Sequence, residues 1–346
     1  MREFNIGVIG CGGIAAKAHF PNIDKIPYLH LYGVCDVDIK RAEAIKAQYN
    51  CPVATGDYKD LINDPKIDAI HICTPNFLHA PIAIEALKAK KHVLIEKPIA
   101  ISVKDAKEIY KVAKENHVKV MSANCFRYQT EGTMLKKFID GGHLGEVYFS
   151  KIQALRRRGI PPHGVFTDKS KQGGGPLIDI AIHLIDQAIY ILGNPKPVSV
   201  TGATFNKIGT TLGHATGVRG PWNPADFNVE DFAFGMVRFE NGHIMSIETS
   251  FAANIEKDRQ NLQVLGSKGG ADTQPLKVYT ECEEIMTDMT PTLVPPTNFY
   301  DVEMRGFYEA IDKGEEVPIK EAEVINVLSI IEGLYKSAEL GKEILL

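Results

Sequence analysis

Residues 4–15 read FNIGVIGCGGIA, an apolar, β-branched run that breaks into glycine at its end. The run has the length and composition of a buried strand. Its last six residues, GCGGIA, have the form G-x-G-x-x-A. Gly10 permits a tight turn, Gly12 lets the backbone approach an anion, and Ala15 keeps the next helix close to the strand. Strand, glycine turn and helix in this order aim a helix N-terminus at a pyrophosphate, with Gly13 and Ile14 completing the loop. Asp36 ends the next strand, where a carboxylate accepts both ribose hydroxyls of NAD and repels the 2′-phosphate of NADP. NAD is therefore expected, and Arg41, one helical turn on, leaves some room for NADP.

Working outward, strand-like runs recur at 4–10, 30–36, 68–75, 92–98 and 119–125, with helical patterns near 14–25, 38–49, 79–90 and 102–116. Alternation at this spacing predicts βαβ units and a doubly wound parallel sheet covered on both faces. The character changes after residue 125. Helices are expected near 130–140 and 176–192, and alternating strands at 199–206, 231–239, 243–252 and 259–266. "ENG" (240–242) is a hairpin signal. Long strands joined by short turns predict a large mixed, mainly antiparallel sheet in a second α/β domain. The boundary is expected near 124, giving domains 1–124 and 125–346. Residues 207–230, rich in Gly, Pro and Thr, read as a long loop and a candidate lid.

Composition narrows the function classes. A net charge of −4 over 346 residues, without a basic block interleaved with aromatics, argues against nucleic acid. No apolar stretch is long enough to span a bilayer, and the first strand starts too early for a signal peptide to precede it. Six cysteines without C-x-x-C spacing read as reduced, buried thiols of a cytoplasmic protein.

Two further motifs lie at strand ends, where open parallel sheets collect ligands. They are CTPNFLH (73–79), bringing Thr74, Asn76 and His79, and EKP (96–98), bringing Glu96 and Lys97. A third is GGGPLIDIAIHLID (173–186), in which Asp179 and His183 interrupt an apolar run four residues apart. Such a pair shares one helical face, and a buried carboxylate and imidazole both need partners. On the residues alone, a core histidine capped by a carboxylate one turn earlier is the favoured reading over a catalytic one.

Taken together, GCGGIA, CTPNFLH, EKP and GGGPLIDIAIHLID resemble the Gfo/Idh/MocA oxidoreductases, the glucose–fructose oxidoreductase and inositol dehydrogenase superfamily. The resemblance runs on through VEDFAFGMVRFENG (229–242) to the final LYKSAELGKEILL (334–346). It implies a Rossmann domain followed by an α/β domain whose large sheet makes dimer or tetramer contacts. It implies Lys97, Asp179 and His183 as the catalytic set of an NAD(P)-dependent sugar or polyol dehydrogenase without a metal. His183 would remove the hydroxyl proton, Asp179 orient it or bind a neighbouring hydroxyl, and Lys97 stabilise the reacting oxygen. Glu96 would position Lys97 or the nicotinamide ribose.

Arg127 in ANCFRY (123–128) matches a position expected to point toward nicotinamide and substrate. Arg156 and His163 precede the catalytic helix and are candidates for the pocket; for the three arginines 156–158 a solvated cationic face is equally open. Trp222 suits either stacking on a sugar ring or an oligomer contact. The expected activity is hydride transfer from a secondary alcohol of a sugar or inositol-like polyol to NAD. The same motifs fit an NAD-dependent glycoside hydrolase working by transient oxidation and elimination. A redox-sensing protein without turnover is disfavoured by the intact catalytic set.

Overall fold

A computed structural model describes residues 1–211, 218–292 and 296–346. The chain forms two compact units, residues 1–125 with 298–324, and residues 126–297 with 325–346.

The first unit is built on six parallel strands: β1 (Phe4–Ile9), β2 (Leu29–Cys35), β3 (Val53–Thr55), β4 (Ala69–Ile72), β5 (His92–Glu96) and β6 (Val120–Ala123). Their order is β3-β2-β1-β4-β5-β6, that of a doubly wound dinucleotide-binding sheet. All of β4 is buried, as suits a central strand covered on both faces, and His71 is its one polar residue. The sequence does not announce β3, since three half-buried edge residues show no period. Its pairing to β2 through Gly33–Cys35 is what places it in the sheet.

Chain position would put 298–324 with the second half, yet this segment belongs to the first unit. The Asn298 side chain accepts a bond from the Asp301 N–H and starts the helix Phe299–Lys313, which Gly314 ends in the left-handed region. Met304, Phe307 and Tyr308 are buried, and the Tyr308 ring lies 4.9 Å from that of Phe4. Apolar burial against β1 thus decides which unit receives the helix.

The second unit carries nine strands: β7 (Val147–Leu155), β8 (Pro197–Phe205), β9 (Phe232–Phe239), β10 (Ile244–Ser250), β11 (Arg259–Gly266), β12 (Gly269–Thr273), β13 (Leu276–Cys282), β14 (Ile285–Met289) and β15 (Ile344–Leu345). Their order is β14-β13-β12-β11-β7-β10-β9-β8-β15. β10 pairs with β7 in parallel and the remaining pairs run antiparallel, so the expected mixed sheet is present. The ENG turn joins β9 to β10, with Gly242 at φ +83° and its N–H bonded to the Phe239 carbonyl. β12 to β14 lengthen the sheet beyond expectation, through residues too polar to read as strands. One face packs on the helix Ile182–Ile191 in a core that includes Val237, Ile247 and Ile185. Along β9 buried residues alternate with exposed or half-buried ones. Phe205 pairs with Phe232 and shares a face with Phe234, and that face is open to solvent.

Residues 212–217, the middle of the candidate lid, lie outside the described residues. At its ends, the Asp231 carboxylate accepts bonds from the N–H groups of Lys207, Ile208 and Gly209. Trp222 is buried in a small cluster with Ile160, Phe227 and Phe251, and its indole N–H donates to the Gly209 carbonyl at 2.7 Å. That buried place corrects both expectations for Trp222, a sugar-stacking surface and an oligomer contact. Five cysteines are free and buried, whereas Cys282 is exposed, contrary to expectation. No helix of the described residues is long and apolar enough to cross a membrane.

Arg127 and Asp186 form an ion pair with both side chains 1% exposed. Nε donates to Oδ2 at 2.7 Å and an Nη to Oδ1 at 2.6 Å, and the guanidinium lies 5.3 Å from the Tyr190 ring centre. Removing one partner of a buried pair leaves an uncompensated charge, whereas an apolar pair of similar volume is tolerated. Arg127→Met should therefore cost about 3–5 kcal/mol in denaturant unfolding, and the double variant Arg127→Met/Asp186→Leu should recover most of it. Additive losses in the double variant would show that the pair is not the source of the effect.

Candidate functional site

In the first unit the glycine loop closes as the sequence requires. Gly10 has φ +94°, and a Cβ there would stand 2.6 Å from the Cys73 carbonyl oxygen. Any side chain would therefore force β1 and β4 apart. Nothing lies within 4 Å of where a Cβ would project from Gly12 or Gly13. The loop enters a π turn, Ala15–His19, with Ile14 at its start; such turns recur at functional sites.

Asp36 is 6% exposed and fixed by two backbone bonds, from the N–H of Cys11 and of Asp38, both at 2.9 Å. Arg41 reaches it at 3.3 Å. Its carboxylate is thus held in one orientation beside the glycine loop. The Thr74 hydroxyl is buried and without a partner among the described residues. An orphaned donor, an open glycine loop and a fixed carboxylate are what a dinucleotide would complete, so the residues present fit NAD. Asn76 is buried as well.

His79 is buried, with Nδ1 2.7 Å from the Pro98 carbonyl oxygen and Nε2 2.8 Å from that of Thr74. Neutral His79 donates its one N–H to one of these two carbonyls, and its ring lies between the loop after β4 and the one after β5. Burial lowers its pKa, against the pull of these two carbonyls. Glu96 ends β5, and its carboxylate accepts from the Lys97 backbone N–H at 3.2 Å and lies 3.0 Å from His19 Nε2. Nothing in the sequence singles out His19. Its burial comes from the π turn, which no residue pattern announces. Lys97 is half-buried.

The remaining candidates belong to the second unit. Asp179 is buried on a π turn, Leu177–Ala181, that runs directly into the helix Ile182–Ile191. The expected regular helix over 176–192 is thus modified at the residue of interest. A spacing of four stays close to one turn in either helix type, so Asp179 and His183 keep to one side. The His183 ring stacks on Phe126 with centroids 4.2 Å apart and planes 23° from parallel.

The triple glycine has a steric cause. A Cβ on Gly174 would lie 2.0 Å from the Tyr335 hydroxyl, and one on Gly175 would lie 2.2 Å from the Glu230 carbonyl oxygen. That close approach lets the buried Glu230 carboxylate accept from the N–H groups of Gly175 (2.9 Å) and Leu177 (3.1 Å) and from the Tyr335 hydroxyl (2.8 Å). Burial raises the Glu230 pKa while these bonds oppose the rise. Glu230 therefore satisfies the first free N–H groups of the helical segment that carries Asp179. Sequence reasoning misses Glu230 and Tyr335; the adjacent carboxylates of VED before an apolar strand are the available signal.

Of the three arginines, Arg156 is half-buried beside Asp179, whose charge offsets the lowering of the guanidinium pKa by burial. Its Nη1 also donates to the Gly159 carbonyl at 3.2 Å. Arg157 and Arg158 are spent on the 253–258 turn, through Glu256 and Asp258 for the first and Ala253 and Asn254 for the second. His163 is exposed, its ring edge-on to Phe166. Arg127, expected toward nicotinamide and substrate, is buried with its guanidinium paired to Asp186.

Comparison with known proteins agrees with this arrangement. Residues 4–124 match the oxidoreductase family with an NAD-binding Rossmann fold, and residues 133–272 match the GFO/IDH/MocA C-terminal domain. The chain is 35% identical to D-glucoside 3-dehydrogenase of Escherichia coli (strain K12), over 98% of this chain and 96% of that protein. It is 30% identical to myo-inositol 2-dehydrogenase of Thermotoga maritima, over 76% and 73% of the two chains. Among solved structures it is similar to levoglucosan dehydrogenase in complex with NADH and L-sorbose, with TM-score 0.87, 25% identity, and 100% of this chain and 99% of that one covered. The chain belongs to the Gfo/Idh/MocA family of oxidoreductases, enzymes built on an NAD-binding Rossmann fold.

Proposed function

We propose that the protein oxidises a secondary alcohol of a sugar or cyclic polyol, with a glucoside as the leading substrate. NAD, when bound, accepts the hydride. The observation that carries this reading is the pair on one helix, a buried Asp179 and a half-buried His183 whose ring is braced by Phe126. Stacking on Phe126 fixes the plane of the imidazole. His183 takes the hydroxyl proton as the carbinol carbon gives up its hydride, the part of a positioned general base. Asp179 orients that imidazole or binds an adjacent hydroxyl, with the Arg156 charge beside it. Lys97 donates to the reacting oxygen and stabilises the charge that grows there. His163 is retained only as a contact to an extended substrate.

The named relatives support the substrate class, since those reported act by name on a glucoside, an inositol and levoglucosan. All are dehydrogenases by name, which favours plain oxidation over oxidation followed by elimination. Asp36 supports NAD over NADP, because a 2′-phosphate would meet a fixed, buried carboxylate. We place the enzyme in the cytoplasm, where five buried free thiols stay reduced.

His183→Ala should lower kcat by about a hundredfold or more, the usual worth of a positioned acid–base group. NAD affinity by calorimetry and the melting temperature should stay close to the parent's. A folded variant that keeps full activity would remove His183 from the mechanism. In the same titrations NADP should bind more weakly than NAD, and Asp36→Ser should narrow the gap. Assembly is a separate matter: the apolar face of Phe205, Phe232 and Phe234 is the surface we assign to a homodimer or homotetramer. Light scattering giving a monomer at micromolar concentration would exclude that assignment.

A further inference from the structure

Behind the strand ends of the first unit, four side chains form one unbroken line of hydrogen bonds. The Glu96 carboxylate lies 3.0 Å from His19 Nε2, His19 Nδ1 lies 2.9 Å from His71 Nδ1, and His71 Nε2 lies 2.7 Å from the Tyr308 hydroxyl. His71 and Tyr308 are wholly out of solvent and His19 and Glu96 nearly so. The four come from separate places in the chain: the π turn after the glycine loop, β4, β5 and the helix Phe299–Lys313. Four polar groups gathered from such distances inside an apolar core need a reason beyond packing.

Counting protons gives the line a direction. A carboxylate only accepts, so His19 offers its N–H from Nε2. The Tyr308 hydroxyl has His71 as its single partner among the described residues, and it donates there rather than burying its proton unpaired. His71 accepts at Nε2, carries its one N–H on Nδ1, and donates to the lone pair on His19 Nδ1. Three bonds use three protons, both rings are neutral, and no donor is left over. Burial holds the His71 imidazole well below its ordinary pKa and the Tyr308 phenol well above, which keeps both groups in the forms this count requires. An imidazolium at His19 would turn the His71 N–H toward Tyr308, and the phenol proton would then have no acceptor.

We infer that His19, His71 and Tyr308 are positioning residues that fix each other's protonation and hold Glu96 as an oriented carboxylate at the cofactor site. The inference rests on the reading of Glu96 as part of that site. Glu96 Oε2 already accepts the Lys97 N–H, so the direction of the line also bears on the backbone of the proposed catalytic lysine. Because the line ends on a buried phenol and not in water, it orients the carboxylate and does not carry protons away. A ribose hydroxyl arriving at Glu96 would meet an acceptor whose lone pairs are already aimed, and little ordering would remain to be done on binding. The helix Phe299–Lys313 thereby gains a role that its chain position hides.

The direct test is long-range proton–nitrogen correlation on the whole protein labelled with 15N-histidine, the two rings being identified by the coupling across their shared N–H···N bond. His19 should carry a proton on Nε2 alone and His71 on Nδ1 alone. A doubly protonated ring, or the opposite tautomer at either position, would overturn the inference without any substitution being made. As a second arm, His71→Phe should raise the Kd for NAD by about tenfold, the usual penalty for losing a partner that orients a ligand-binding group. A folded His71→Phe protein with unchanged Kd would overturn it equally. Glu96→Gln separates the two levels: unchanged NAD affinity in that variant removes Glu96 from the cofactor site and leaves the tautomer result to stand or fall alone.

Discussion

A carboxylate taken out of water must find hydrogen bonds or lose its charge, and this demand organises both units. Glu230 meets it with two N–H groups of the GGGPL turn and the Tyr335 hydroxyl. Those bonds require the turn to lie against Tyr335 and the Glu230 backbone, which leaves room only for glycine at 174 and 175. The turn in turn sets where the helical segment begins, and so where Asp179 and His183 stand along it. Asp36 does the same in the first unit, tying the glycine loop to the end of β2. Asp231 gathers three consecutive N–H groups at the start of the long loop. A buried carboxylate that lost its donors would forfeit bonds of about 1.5–3 kcal/mol each.

The sequence discloses local chemistry better than long-range placement. The glycine loop, the strand ends and the D-x-x-x-H spacing are legible because each is a pattern within twenty residues whose physical demand is self-contained. The parallel sheet is legible for a related reason: strands buried on both faces are mostly apolar. β3 and β12 to β14 are not, since short or polar strands owe their existence to the neighbour they pair with. The return of 298–324 to the first unit is invisible for the same reason. Nothing in that segment states that its apolar stripe fits β1.

The arginines make the point for the site. Arg127, Arg156, Arg157 and Arg158 are equivalent to a reader of letters, yet three of them are committed to structural partners and Arg156 stands by Asp179. Asp186 reads in the sequence as one more polar residue of the GGGPLIDIAIHLID run, and it is the buried partner of Arg127. His79 and Trp222 obey the same logic, each drawn inward by backbone carbonyls that sequence does not locate.

We propose that a secondary carbinol of a sugar or polyol gives up its hydride to NAD on this chain. The most direct measurement is the mass of the NADH formed when the enzyme and NAD meet methyl glucoside or myo-inositol deuterated on the ring carbons. The account predicts NADH heavier by one deuterium from at least one of the two, together with the matching ketone. NAD that binds and stays oxidised with both compounds, or NADH that gains no deuterium, would contradict it.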